Sequence, residues 1–105
     1  MTIELAQRFA EALQSKGWKA FFGPYWDGAH DASHDAEPNF WYFHPRSNGG
    51  VGAYVQYAYE PETIASGDTG FIEPEEVEEV LARVMALGVN PTRKDVWKAI
   101  EGEPV

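Results

Sequence analysis

The sequence predicts an α+β domain with the element order α-β-β-β-α-α, in which a three-stranded antiparallel meander carries its helices mainly on one face. Three observations lead there. Apolar residues recur at helical spacing near both ends of the chain. In the middle they alternate, or gather into short aromatic and β-branched runs. Gly, Pro and Asn punctuate the boundaries between these stretches. With 105 residues and fifteen aromatic side chains, the chain can build one core, and a single domain is expected over 1–105.

The first element is a helix. Ile3, Leu5, Ala6, Phe9, Ala12 and Leu13 share one face and Glu4, Arg8 and Glu11 the other, with Thr2 placed to cap it and Gly17 to end it. Residues 18–22 read as a first strand, stopped by Gly23-Pro24. Residues 23–38 have no apolar period and hold two Pro and two Gly, which predicts a long loop. The second strand, over 39–44, is aromatic on both sides: Phe40 and Tyr42 point one way, Trp41 and Phe43 the other. Asn48-Gly49 signals a hairpin, and residues 51–59 alternate as a third strand with Val51, Ala53 and Val55 on one side and Tyr54 on the other. Residues 60–72 read as a second loop. Glu73-Pro74 opens a helix whose apolar stripe is Val77, Val80, Leu81, Val84 and Leu87, with Gly88 at its end. Asn90-Pro91 starts a last short helix with Val96, Trp97 and Ile100 facing inward, and residues 101–105 are expected to fray.

The charge is uneven. The chain has a formal charge of −9, yet both flanks are slightly basic; between Lys19 and Arg83 stand twelve carboxylates and one cation, Arg46. Twelve of the fifteen aromatic residues lie in the same segment. Negative charge beside aromatic area repels phosphate backbones and anionic membranes, and suits a basic protein surface. The absence of cysteine removes disulfides and thiolate zinc sites from consideration. No apolar run approaches the ~20 residues of a membrane span. The first residues lack a basic and then apolar signal pattern, so the cytoplasm is the expected compartment.

The run α-β-β-β-α resembles the topology of double-stranded RNA-binding domains. The likeness is one of order alone. Where those domains carry a basic cluster at the start of the last helix, this chain has Glu75, Glu76, Glu78 and Glu79. Phosphate would be repelled there.

Two constellations could carry function. In the near-repeat Ala29-His-Asp-Ala32, Ser33-His-Asp-Ala36, a helical turn would put His30 and His34 on one side, with Asp31 and Asp35 in a parallel row. Imidazole with carboxylate suits a divalent transition metal. The same residues also make an ordinary solvated loop in which each Asp neighbours a His. The second constellation joins the aromatic sheet to the acidic helix. Helices on one side bury one aromatic set; the other is either open to a partner, or to a second copy in a homodimer, or covered by the 23–38 loop with Tyr25 and Trp26. Four Glu in a first helical turn exceed what its dipole needs. Trp41, Phe43, Tyr54, Glu75, Glu76 and Glu79 are therefore the expected partner contacts. A helix-turn-helix reading of 74–101, with Arg93, Lys94 and Lys98 on the second helix, fails on the adjoining Glu cluster. Gly49-Gly50-Val51-Gly52 leads into a strand, so it is a turn and no phosphate cradle.

The function expected from these features is non-enzymatic: an acidic accessory protein that binds a basic protein partner and inhibits or modulates it. Immunity proteins, phage-encoded inhibitors and mimics of DNA charge share this size and charge. The alternatives are a metal-binding protein or metalloenzyme using His30, Asp31, His34 and Asp35, and a self-associating structural subunit.

Overall fold

The computed structural model describes residues 3–24, 40–58 and 65–102. They form an α+β fold in which three helices pack on a four-stranded mixed sheet. The elements are α1 (Glu4–Ser15), β1 (Ala20–Phe22), β2 (Phe40–Pro45), β3 (Val51–Ala58), β4 (Ala65–Ile72), a 3₁₀ turn (Pro74–Glu76), α2 (Val77–Met85) and α3 (Arg93–Glu101). The strand order is β1-β2-β3-β4. β1 runs parallel to β2, and the other two pairs are antiparallel.

The expected three-stranded antiparallel meander is corrected in two respects. The stretch read as a second loop contains β4, an edge strand. The first strand is three residues long and joins in parallel. β4 is poor in the usual strand signals because the positions opposite Val51, Ala53 and Val55 are Ile72, Gly70 and Asp68. Gly70 has a reason to be small: the Trp97 indole of α3 lies where a Cβ would point, 3.1 Å from it.

Register decides which side of each strand meets the helices. Trp41 pairs with Val55, Phe43 with Ala53 and Pro45 with Val51, so these residues share a face. That face is the core. Phe9 of α1 stacks on Phe43 at 5.5 Å, and Trp41 meets Trp18 edge-on at 6.1 Å and Trp97 at 5.8 Å. Val77, Val80 and Val84 of α2 and Val96, Ala99 and Ile100 of α3 complete it. Burying a side chain of this size stabilises by roughly 1.5–3 kcal/mol, so the helix layer is held mainly by this contact.

Local chemistry sets the helix ends. α1 stops at Lys16, and Gly17 follows at φ +102°, a left-handed conformation that glycine adopts without strain. Proline opens a 3₁₀ turn before α2 rather than α2 itself. The left-handed residue after α2 is Asn90, at φ +56°, and not Gly88. α3 begins with a capping box: the Thr92 hydroxyl accepts from the Asp95 backbone N–H, and the Asp95 carboxylate accepts from the Thr92 N–H. Gly102, left-handed at φ +71°, closes its other end, so the chain is ordered helix through Glu101. Among the described residues no helix is long and apolar enough to cross a membrane.

The α1–β1 corner is tied to the α2–α3 turn at four points. The Asn90 N–H donates to the Lys16 carbonyl at 2.8 Å, and the Trp18 indole N–H donates to the Pro91 carbonyl at 2.9 Å. The Lys16 ammonium donates to the carbonyls of Met85 at 2.8 Å and Leu87 at 2.5 Å. Those carbonyls are ones that the end of a helix leaves without an intrahelical donor.

Candidate functional site

The residues expected to form one contact surface are divided by the sheet. Trp41 and Phe43 have no exposed surface; they lie under α1, α2 and α3 and belong to the core. This corrects their assignment as partner contacts, because an aromatic side chain that holds the helix layer to the sheet is not available to a second molecule. Tyr54 pairs with Tyr42 and so faces the other way. Glu75, Glu76 and Glu79 are exposed on the 3₁₀ turn and α2, on the helical side.

The sheet face away from the helices is aromatic as well. Phe21, Phe40, Tyr42, His44 and Tyr54 follow one another across it, with ring centroids of successive neighbours 5.7–6.5 Å apart where they meet. Phe40 and Tyr42 are nonetheless buried, while Phe21, His44 and Tyr54 are half-buried. Glycines make this packing possible. The His44 ring occupies the space where a Cβ of Gly52 would sit, and the Tyr42 hydroxyl does the same at Gly23. Phe71, on β4, is 55% exposed on this face, and Arg46 lies 4.0 Å over its centroid. A cation so placed is worth about 0.5–1 kcal/mol.

On the helical side α1 and α2 run next to each other in the same direction, with Arg8 beside Glu78 and Lys16 beside Met85. Two parallel helices bring two partly positive N-termini to one end. Glu4 lies in the first turn of α1, and Glu75, Glu76, Glu78 and Glu79 in the first turns at α2. Arg8 grips Glu78 with two bonds of 3.0 and 3.2 Å. This hydrogen-bonded contact holds the Glu78 carboxyl below its ordinary pKa and raises that of Arg8. Both side chains remain largely in water, so solvent screening leaves the pair little net effect on stability. Glu79 approaches Arg83 at 3.4 Å, and the Arg83 Nε–H donates to the Ala99 carbonyl at 2.8 Å, tying α2 to the end of α3. Glu73 lies 3.9 Å from Arg46 and accepts from the Asn48 amide at 3.2 Å. Among the described residues, the cations that meet the acids of α2 are Arg8 and Arg83. Glu75 and Glu76 form no ion pair among the described residues.

Between α1 and α2 runs an open groove of about 430 Å³, lined by Arg8, Glu11, Ala12, Ser15, Leu81 and Met85. Met85 is 52% exposed and Leu81 half-buried. The sequence places Leu81 on the buried stripe of α2 and gives Met85 no role. Their spacing of four was the available signal, since it puts both on one side of the helix.

His30, Asp31, His34 and Asp35 lie outside the described residues. Among the described residues no group of three or more His, Asp or Glu is arranged to hold a metal. Comparison with known protein families, with characterised proteins and with solved structures finds no match.

Proposed function

We propose that this chain is a non-enzymatic binding protein that presents the acidic side of its α1–α2 layer to a basic surface on a protein partner, and so occludes that surface. The observation that carries the reading is the gathering of carboxylates at the shared N-terminal end of two parallel helices. One or two acids answer a helix dipole of about half a charge. Here Glu75, Glu76, Glu78 and Glu79 crowd the start of α2 and Glu4 occupies the first turn of α1, and Glu75 and Glu76 are exposed without a cation of their own among the described residues. Charge so placed steers a cationic partner in and is screened by salt. Tyr54, on the opposite face of the sheet, takes no part in this surface.

The test is capture of partners from the native host's lysate at low and high salt, with proteins identified by mass spectrometry. A variant carrying Glu75→Gln, Glu76→Gln and Glu79→Gln is run in parallel. The expected result is a basic protein retained by the wild type at low salt and lost both in the variant and at high salt. Partners retained equally by the variant, or no partner, would overturn the reading.

A further inference from the structure

We infer that the groove between α1 and α2 is a docking site for a basic amphipathic helix, which rests on the acidic-surface reading above and specifies the shape of the partner. Two parallel helices leave a straight furrow between them, and a third helix fits such a furrow by ridges into grooves. The floor is apolar: Ala12 is buried beneath it, Leu81 is half-buried, and Met85 is 52% exposed. Methionine is unbranched and polarizable, so it adapts to differently shaped apolar side chains. A single exposed apolar residue needs no explanation; Leu81 and Met85 are adjacent, and they line the same depression.

The surround supplies the charge complementarity. Glu11 and Arg8 line the groove, and Glu78, gripped by Arg8, adds a second carboxylate on a side chain that is 77% exposed. Glu75 and Glu76 extend the negative charge beyond that end. At the other end Lys16 directs its ammonium onto the Met85 and Leu87 carbonyls, where it caps α2. An apolar strip flanked by net negative charge matches a helix with one apolar face and a cationic flank. It mismatches an acidic helix, which would meet Glu11 and Glu78, and an extended strand, which would leave its backbone groups unpaired against side chains.

The probe is a synthetic peptide of about 18 residues, long enough to be helical on a surface, with Leu at helical spacing and Lys elsewhere. Two further peptides accompany it: one of the same composition with Leu scrambled off the stripe, and one with Glu in place of Lys. Affinity is read by fluorescence anisotropy and location by amide chemical-shift mapping on the full chain. The expected result is that the Lys–Leu amphipath binds best, shifts amides of residues 8–15 and 78–86, and loses roughly tenfold in affinity on Met85→Lys. Met85→Gln, which adds no charge, should lose a smaller but measurable factor, and both variants should keep the wild-type thermal melt. Equal binding of the scrambled peptide, with shifts centred on Glu75 and Glu76, would overturn the groove while leaving the acidic surface standing. Shifts on the far face of the sheet would overturn the groove as well. Failure of both cationic peptides to bind at low salt, or equal binding of the Glu peptide, would overturn both readings.

Discussion

Replacing Lys16 with methionine removes the ammonium that bridges α1 to the end of α2 and keeps most of the aliphatic stem. Two charge-assisted hydrogen bonds are lost, to Met85 at 2.8 Å and to Leu87 at 2.5 Å. Fully buried, each would be worth about 1.5–3 kcal/mol; the Met85 bond is exposed and the Leu87 bond half-buried, so about 1 kcal/mol each applies. Loss of a cation from the helix C-terminus adds about 0.3–1 kcal/mol. The backbone bond from Asn90 to the Lys16 carbonyl is retained, so the turn itself should hold. The sum is about 2–3 kcal/mol, a large share of the roughly 5–15 kcal/mol that stabilises a typical domain. At about 4–8 °C per kcal/mol the melting temperature should fall by roughly 8–24 °C. Urea unfolding followed by circular dichroism measures this, with an unchanged slope as evidence that the native state is intact. Lys94→Met, an exposed position on α3, is the comparator and should stay within about 0.5 kcal/mol. If Lys16→Met behaves like Lys94→Met, the bridge contributes nothing and the account of how the two corners are joined is wrong.

Trp41→Phe should be close to neutral, within about 1 kcal/mol. The Trp41 indole N–H is buried without a hydrogen-bond partner among the described residues, so removing it recovers about 1–3 kcal/mol and offsets a packing loss of similar size; a loss above about 3 kcal/mol in urea would show that the N–H has a partner. Asp95→Asn tests the capping box through pH. The Thr92 backbone and hydroxyl bonds hold the Asp95 carboxyl below its ordinary pKa. Its contribution is therefore present at neutral pH and lost as pH falls through the folded value. The gap between wild type and Asp95→Asn in thermal melts should be open at pH 7 and shrink below about pH 4, and a constant gap would count against it. Gly50→Ala should be strongly destabilising, because the added Cβ meets the Ile72 carbonyl oxygen, whereas Gly88→Ala finds open space and should be neutral or gain up to about 1 kcal/mol; equal melting temperatures for the two variants would refute the contrast. If His30 and His34 hold a divalent metal, elemental analysis should find it in the wild type and lose it in His30→Ala with His34→Ala; equal contents would end that alternative.

Much of the helix layer can be read from apolar spacing: α1, the body of α2 and the inward residues of α3 all follow the 3.6-residue period. The sheet is harder. β4 hides because Gly70 leaves its core position to Trp97, a side chain from another element that no local pattern reveals. The covered face of β2 hides for a different reason. Asn48-Gly49 suggests a two-residue turn, which would set Trp41 opposite Gln56. The observed turn spans Ser47, Asn48 and Gly49, with Gly49 left-handed at φ +93°, and sets Trp41 opposite Val55. A slip of one residue exchanges the two faces of a strand. With Phe40, Trp41, Tyr42 and Phe43 all aromatic, composition could not arbitrate, and Trp41 and Phe43 were as plausible on a surface as in the core. The groove was invisible for a simpler reason: it depends on α1 and α2 lying parallel, which is tertiary information.

The parallel pairing of β1 with β2 limits how this chain can change length. Two antiparallel strands tolerate a turn of two residues, but a parallel neighbour must be reached by a connection of about a dozen or more. Seventeen residues separate Phe22 from Phe40. Deleting more than about five of them would force Ala20 away from Trp41 and Phe22 away from Phe43, and the short strand would leave the sheet. Insertions face no such bound, since each doubling of a connection's length costs only about 0.6 kcal/mol in closure entropy. Among descendants of this sequence, that stretch should be free to grow but able to lose only about five residues, whatever else its residues do.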